Sequence, residues 1–417
     1  MLNDIRADWT RRSVSVAAMG AMVGAPSVGL ANTITVSNMD QLGAAFGQAR
    51  GGETILIAPG DYGMLFLRGR SFPSRVTLRA QDPQRPPRFA MIRVLQCANV
   101  ELVSLDCGGQ AKPVNQSWLG FVDVRTSQRI SMRNLRVTGL LDQPGGFSRD
   151  LGVFIRDCSE IVLQNSFISR LHQGLTLFHV QGVDVSGNKF EQICMDAMRC
   201  VGTSNGVIAN NSVTKFIAHP TDHCDGLQIF TGTGIIPCSN IIIRNNTFIY
   251  GPGLGLVQGI FIRSETREPH KNISIENNLV YSEVWHGITL SNTIGGIIRN
   301  NTAIAPPGLT DRRSGPARGA WILVGQDAQD ILVERNIANA FTFGPGVQRI
   351  QHRDNIQARL LSTPVPPTLL TGVTDGTYRD LYGTESLGWA PPASALIARS
   401  AVLTASTSSA QRVGFQG

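Results

Sequence analysis

The sequence contains few charged residues, few aromatic residues and no apolar stretch long enough to cross a membrane. Only 16% of its 417 residues are charged and 6% are aromatic, and no apolar run reaches the ~18 residues of a membrane span. Lysine and arginine number 37 against 30 aspartate and glutamate, a net charge of +7, which favours an anionic partner. The basic residues are scattered and form no recognition motif, so we expect that partner not to be a nucleic acid.

Cysteine is present, but without the Cys-x-x-Cys spacing of metal or redox sites. The count of seven is odd, so at least one thiol remains outside any disulfide. A bridge such as Cys224 to Cys238 is feasible in an oxidising compartment. We expect most of these side chains to be small buried apolar groups of a core.

Stretches with the period of an amphipathic helix are also scarce, and a recurring asparagine is the dominant pattern instead. Each copy has Val or Ile three residues before it and an apolar residue two after it, at intervals of 23, 23, 35, 32, 23 and 35 residues. A period near 23 with loops added to some repeats is typical of a solenoid. The recurring residues are Asn165, Asn188, Asn211, Asn246, Asn278, Asn301 and Asn336.

The segments between these asparagines have the period of strands. Apolar and polar residues alternate in short runs such as Ile241 to Ile243 and Ile273 to Ile275. We therefore predict an all-β fold, a right-handed parallel β-helix solenoid. The Asn falls where a run ends, and Asn tolerates the left-handed conformation of a bend. Stacked coils would join the Asn amides in a hydrogen-bonded ladder.

The two ends of the chain differ from the repeats. Residues 1–31 are predicted to be an export signal, because Arg11 and Arg12 precede an apolar stretch over 13–26 and a small-x-small site over 29–31. The twin Arg resembles a Tat signal, which implies a periplasmic or secreted protein. The β-helix domain is predicted over 32–358, and a C-terminal cap or tail, partly disordered, over 359–417.

A short helix is predicted before the first repeats. Leu42, Ala45 and Phe46 share one helical face, the helix stops before Gly51-Gly52, and a strand follows. The stretch resembles the N-terminal capping helix and first strand of the pectate lyase-like β-helix superfamily. That superfamily includes alginate and chondroitin lyases, mannuronan epimerases and nitrous-oxide-reductase accessory proteins. The resemblance covers about residues 33 to 355 and implies the fold but no particular reaction. We also expect a monomer.

A second ladder locates the candidate chemistry. Small residues open strands at a spacing that follows the Asn ladder, and insertions lie on both sides of several of these strands. Insertions on successive coils would build walls around an extended groove, which suits a polymer. The small residues are Gly174, Ala197, Gly226, Gly259, Gly287 and Gly319.

Polar residues are predicted to line this groove. Neighbouring coils stack at ~4.8 Å, so Asp196 and Asp225 would lie about that far apart, and His286 would lie three coils on, at about 14 Å. His223 and Arg263 complete the predicted cluster. The residues predicted to bind substrate are Arg199, Gln228, Gln258, His286 and Trp321.

Two chemistries suit a close carboxylate pair in such a groove. In a lyase, Asp196 and Asp225 would hold Ca²⁺, Arg199 and Arg263 would neutralise a uronate carboxylate, and His223 would be the base. In a glycoside hydrolase, the two Asp would be the acid and the base or nucleophile. We predict an exported enzyme that cleaves an acidic polysaccharide, with a lyase ahead of a hydrolase or epimerase. A non-catalytic carbohydrate-binding or adhesion solenoid is the alternative from another class.

Overall fold

The computed structural model describes residues 33–110, 119–218, 222–249, 257–282, 284–305 and 319–357. The predicted export signal and the predicted C-terminal tail lie outside the described residues. Most of the insertions expected to wall the groove, at 219–221, 250–256 and 306–318, lie outside them as well.

One α-helix occurs in the described ranges, and it covers the N-terminal end of the solenoid. It spans Met39–Gln48, and the Asn38 side chain caps its start by accepting a hydrogen bond from the Gln41 backbone N–H. Its buried residues are Leu42, Ala45 and Phe46, which confirms the predicted face. No helix within these ranges is sufficiently long and apolar to span a bilayer.

After the helix, the chain winds into coils of three strands each, and every pair of stacked strands is parallel. We call the three surfaces of the solenoid the first, second and third face, in the order in which the chain meets them within a coil. The first and second faces join into one 22-stranded sheet because two long strands turn the corner between them, and the third face is an 11-stranded sheet. The predicted right-handed parallel β-helix is confirmed.

The strands of the first face are Met64–Arg68, Met91–Leu95, Gly120–Arg125, the first halves of Leu151–Gln164 and Gln173–Ser186, Met198–Val201, Asp225–Thr231, Gln258–Ser264, His286–Ser291, Trp321–Gly325 and Ala340–Phe343. Those of the second face are Thr33–Val36, Thr54–Ile57, Ser71–Ala80, Ala98–Val103, Gln128–Arg133, the second halves of the two long strands, Ser204–Ala209, Ser239–Arg244, His270–Glu276, Thr293–Arg299, Gln329–Glu334 and Gln351–Arg353. Those of the third face are Arg88–Phe89, Asp106–Gly108, Arg136–Thr138, Phe167–Leu171, Lys189–Ile193, Ser212–Thr214, Thr247–Ile249, Leu279–Tyr281, Thr302–Ile304, Ile337–Ala338 and Ile356–Gln357.

The core consists of columns of apolar side chains, one residue per coil. From Asn188 onward, the Val or Ile three positions before each Asn forms such a column on the second face, where Ile243 pairs with Ile208 on one side and Ile275 on the other. All three side chains are at most 1% exposed. The seven cysteines are also buried thiols. The feasible bridge between Cys224 and Cys238 is absent, because these residues precede strands of two different faces.

The asparagine ladder forms between the second and third faces. Asn246 is typical: its backbone N–H and its side-chain amide both donate to Oδ1 of Asn278, each at 3.0 Å. Its amide also donates to the backbone oxygen of Ile208, at 2.9 Å. The same pattern runs from Asn188 through Asn336 and continues to Asn355. Each ladder side chain thus replaces the hydrogen bonds that the backbone loses at the bend.

Two details of the predicted ladder are wrong. The left-handed residue is the one before each ladder Asn, such as Asn245 at φ 57° or Asn277 at φ 53°, because the ladder side chain must point inward. Asn165, at φ 52°, occupies this left-handed position itself. Ser166 takes the ladder position in that coil, since its backbone N–H donates to Asn188 Oδ1 at 2.9 Å.

The buried column provides a test of the register. Ile243→Asp should lower the free energy of unfolding by several kcal/mol, because it places a carboxylate without a partner in an apolar interior. Ile242→Asp is the matched control, since Ile242 is the adjacent residue on the same strand and is 38% exposed. Thermal and urea unfolding of both variants measures the difference. Equal stability of the two variants would contradict the inward and outward assignment.

Candidate functional site

The candidate site lies where the chain enters the strands of the first face. Met198 pairs with Leu227, Leu227 with Ile260, and Ile260 with Ile288. The residues two positions earlier therefore stack on successive coils as predicted, in the order Asp196, Asp225, Gln258 and His286.

The small residues of the second ladder are explained by packing beneath this row. A Cβ added to Gly226 would lie 2.2 Å from a ring carbon of Phe248, a core residue of the third face. A Cβ on Gly174 would lie 2.8 Å from a ring carbon of Phe190. Large core side chains from the third face thus fill the corner, and only small residues fit above them. This packing holds the preceding polar residue at the same place in each coil.

Asp196 and Asp225 form a buried pair. Both side chains are 0% exposed, and the Asp225 backbone N–H donates to Asp196 Oδ1 at 3.4 Å. Asp225 Oδ2 accepts a hydrogen bond from Gln228 Nε2 at 2.9 Å and lies 3.1 Å from His223 Nδ1. The neighbouring coils therefore bring together the two carboxyl groups and the imidazole that the sequence singled out.

Burial and mutual repulsion determine how this pair is protonated. Burial, followed by the charge of Asp225, raises the pKa of Asp196 to about 8. Burial also raises the pKa of Asp225, while the hydrogen bond from His223 opposes the rise. Since the two groups titrate together, we assign one proton to the pair at neutral pH.

His223 is the member of this cluster that faces solvent. Its side chain is 47% exposed, whereas that of Asp225 is 0% exposed. A buried carboxylate that accepts from one ring nitrogen fixes the tautomer of the imidazole and directs the other nitrogen outward. His223 and Asp225 therefore form a dyad in which only the imidazole reaches the surface.

Arg199 and Arg263 occupy different surroundings. The Arg199 guanidinium lies 4.3 Å from the Phe230 ring centre, and its charge lowers the pKa of Asp196 against the effect of burial. Arg263 is exposed and pairs in register with Phe230 and Ser291, further along the strand than the carboxylates. The structure thus places the charge of Arg199 near the Asp196–Asp225 pair. Arg263, which was predicted to join this cluster, lies instead beside Phe230 and Ser291.

A row of rings continues from His223 along the solenoid axis. The ring centres of His223 and Phe261 are 5.3 Å apart, those of Phe261 and His286 5.4 Å, and those of His286 and Trp321 5.0 Å. Burial, helped by the charge of His223, lowers the pKa of His286 to about 4, so its ring is neutral at physiological pH. Most of this row is uncharged and partly exposed.

The predicted position of Trp321 is wrong by a shift in register. Trp321 pairs with His286, and Leu323 takes the outward position beside Thr289 that the repeat assigned to Trp321. The register shifts between His286 and Ile288, where the coil has a bulge. Trp321 nevertheless contacts the row, because it stacks edge to face on His286.

Several buried oxygen atoms at this site have no hydrogen-bond partner within the described ranges. They belong to the carboxylates and to the two amides beside them: Asp196 Oδ2, Asp225 Oδ1, Gln228 Oε1 and Gln258 Oε1. Buried polar atoms without partners are rare in folded proteins and indicate a functional role or a bound group.

Sequence reasoning missed His172. Its Nε2 lies 3.3 Å from Asp222 Oδ2, and Asp222 directly precedes His223. The contact ties the segment that carries His223 to an earlier coil. The only signal was its position before Gln173, at the start of the polar row, which does not predict a contact across coils.

One large cleft lies elsewhere on the described part of the chain. Its volume is about 1130 Å³, and it is formed by insertions at the far ends of the same strands, including 232–236 and 265–269. None of the predicted site residues lines this cleft. We therefore place the candidate site at the cluster of acid, base and rings.

Protonation of the buried pair predicts a pH dependence of stability. The raised pKa of Asp196 means that the folded protein keeps a proton that the unfolded chain releases above about pH 4. The free energy of unfolding should therefore fall as pH rises toward 8. Asp196→Asn, which retains an acceptor for the Asp225 N–H, should show a smaller fall. Melting temperatures of both proteins at pH 5 and pH 8 measure this, and equal shifts would contradict the assignment.

Comparison with known proteins agrees with the architecture. The family described as "Right handed beta helix region" matches residues 120–303. No curated protein matches the chain in sequence.

Three solved structures show the range of similar proteins. The Dettilon tailspike protein has 13% identity and a TM-score of 0.50, over 74% of this chain and 59% of its own. A PL6 family alginate lyase has 13% identity and a TM-score of 0.46, over 78% of this chain and 51% of its own. The Streptococcus pneumoniae surface adhesin PfbA has 10% identity and a TM-score of 0.46, over 78% of this chain and 90% of its own. The chain spans 59% of the tailspike and 51% of the lyase. With its stacked coils, buried ladder and matching central region, the chain has the fold of right-handed parallel β-helix proteins.

Proposed function

We propose that the protein is a carbohydrate-active enzyme that cleaves a uronate-containing polysaccharide by β-elimination. The observation that carries this proposal is the dyad, in which exposed His223 is held by fully buried Asp225. Of the acid and base groups in the cluster, the imidazole is the one that a polymer on the surface would meet first. A polymer substrate also implies action in the periplasm or outside the cell.

His223 has the properties of a general base. With Nδ1–H donated to Asp225, Nε2 carries the lone pair and can take the proton next to a uronate carboxylate. The electrons of that C–H bond form the new double bond, and the C–O bond to the leaving sugar breaks. The leaving oxygen takes up a proton, and no water is consumed. Asp225 stabilises the imidazolium that forms.

Arg199 is the group best placed to make that proton acidic. A uronate carboxylate must be neutralised before the neighbouring C–H can be deprotonated, and guanidinium groups bind carboxylates through two parallel hydrogen bonds. Arg199 is partly exposed and held against Phe230. Its Nε has no partner within the described ranges.

Calcium is the cofactor that suits the buried oxygens. Ca²⁺ binds carboxylate and amide oxygens, and Asp196, Asp225, Gln228 and Gln258 each offer one. When bound, the ion supplies positive charge that would help Arg199 neutralise the substrate. Calcium would compete with the proton that the pair holds. The affinity for calcium should therefore rise with pH.

The ring row provides a surface for sugars. Phe261, neutral His286 and Trp321 present partly exposed ring faces and edges next to the dyad. Aromatic rings pack against the apolar faces of pyranose rings, so this row would hold the sugars on one side of the cleaved bond.

A hydrolase is the second candidate, favoured by the proton on the pair. Asp196 would be the acid and Asp225 the base or nucleophile, as in glycosidases with two carboxyl groups. The complete burial of both side chains counts against it, because the acid must reach the glycosidic oxygen. An epimerase would share the proton abstraction, and an adhesin would need only the ring row.

Loss of the dyad should abolish most of the activity. Asp225→Asn retains the size of the side chain but removes the charge, and should lower turnover at least about a hundredfold, the scale expected for a general base. His223→Gln should do the same. Asp184→Asn is the control, because Asp184 lies on the second face and accepts from Gln164. Turnover is measured on uronate polymers with all variants folded. Full activity of Asp225→Asn and His223→Gln would remove the proposed base.

The products separate the candidate reactions. A lyase creates an unsaturated sugar end that absorbs in the ultraviolet, together with a new reducing end. It should not cut a polymer whose carboxyl groups have been reduced. We expect both signals from alginate or polygalacturonate. Reducing ends without the chromophore would favour a hydrolase, and altered sugar configuration without cleavage would favour an epimerase. Binding without any change would favour an adhesin.

A further inference from the structure

On the outer surface of the first face, arginines stack on phenylalanines in the coils that precede the coil of Asp225. Four such arginines lie on coils that lead up to Asp225, and we call them the arginine track: Arg93, Arg125, Arg156 and Arg199. Strand pairing connects them. Arg125 pairs with Arg156 on the next coil. Arg93 and Arg199 are the two ends of one row of outward residues that pair from coil to coil, with three residues between them. At ~4.8 Å per coil, the track is about 19 Å long.

Each guanidinium of the track is held over a ring. Arg93 lies 5.3 Å from the centre of Phe66, Arg125 5.2 Å from Phe154, Arg156 4.9 Å from Phe178, and Arg199 4.3 Å from Phe230. Cation–π contacts of this kind hold the side chains in one orientation while leaving the charge on the surface. A binding site made of fixed side chains loses less entropy when a ligand binds.

The track has more positive than negative charge. Asp123 accepts from Nε of both Arg93 and Arg125, at 3.4 and 2.9 Å, and is 2% exposed. Arg156 pairs with Asp157 at 3.2 Å, and both side chains are about half exposed. Besides the buried Asp196–Asp225 pair next to Arg199, the four arginines thus have two carboxylates between them, and the buried Asp123 fixes two of the arginines without covering them.

We propose that the arginine track is a binding site for an extended anionic glycan, which lies along the solenoid axis and enters the candidate site at Arg199. The site is separate from the dyad, and its link to cleavage rests on the proposed function. Arg199 connects the two, because it is the last arginine of the track and pairs with Gln228, which contacts Asp225.

The charge and shape of the track identify the ligand. Carboxylates spaced along a polymer match guanidinium groups spaced along stacked coils, and Phe rings between them match the apolar faces of sugars. The ring row from His223 to Trp321 continues beyond the dyad in the same direction. A glycan on the track would therefore have sugars bound on both sides of the bond that is cut.

The test measures binding in the Asp225→Asn background, in which the polymer is not consumed. Arg125→Gln combined with Arg156→Gln should weaken the binding of alginate or polygalacturonate at least about tenfold, the loss expected for about one charge-assisted hydrogen bond. Raising the NaCl concentration should weaken the remaining binding as well. Affinity electrophoresis and calorimetry provide the dissociation constants, with neutral dextran and single-stranded DNA as comparison ligands.

Arg136→Gln is the matched control. Arg136 also lies 5.2 Å from a Phe ring, that of Phe167, but on the third face. It tests whether the effect comes from the track or from the loss of any stacked arginine. Should the double variant fold poorly, Arg156→Gln alone serves, since Arg156 is on the surface and its partner Asp157 is also exposed.

The outcomes separate this proposal from the proposed reaction. A loss of affinity in the double variant that Arg136→Gln does not share supports the track, whether or not the wild type cleaves the polymer. Unchanged affinity overturns it even if cleavage is found. An equal loss in Arg136→Gln, equal binding of dextran, or tighter binding of DNA than of either uronate polymer also overturns it.

Discussion

The hydrogen bond from one ladder asparagine to the next is the interaction on which the register of this protein depends. Each ladder side chain accepts from both the backbone and the amide of its neighbour, in an interior that water does not reach. A coil shifted by one residue would bury several polar groups without partners, at a cost of several kcal/mol. Since the bend is fixed in this way, the number of residues from Asn to the next first-face strand can vary. Insertions occur there without displacing Asp225 from its place above Asp196.

The same stacking gives the candidate site its electrostatic character. Two carboxyl groups at equivalent positions of adjacent coils are necessarily neighbours, and here both are fully buried. Burial and repulsion then make one of them prefer its protonated form. A charge on Asp225 remains tolerable because His223 and Gln228 both contact Oδ2. The fold therefore converts two ordinary turn residues into an orienting group for an exposed imidazole.

Sequence periodicity predicted those features that repeat with the coil. The fold, the capping helix, the Val and Ile column and the stacking of Asp196 on Asp225 all follow from spacing. The errors occur where a local event interrupts the period. Asn165 matches the pattern one residue early because Ser166 replaces the ladder Asn, and the bulge near His286 shifts Trp321. Burial of the carboxylates and the contact of His172 with Asp222 depend on packing between coils. The spacing of residues in the sequence does not predict such packing.

The arginine track was missed for a related reason. Its residues lie in two adjacent outward rows, and each row by itself is an irregular mixture, with Arg, Asp, Phe and Thr in one and Leu, Arg and Phe in the other. Only the diagonal contacts between rows, such as Arg125 over Phe154 and Arg199 over Phe230, reveal the pattern. Outward positions of a solenoid are not constrained by the core, so a regular arrangement there requires another explanation. A ligand that is itself periodic supplies one, because it interacts with side chains at the spacing that the buried ladder imposes.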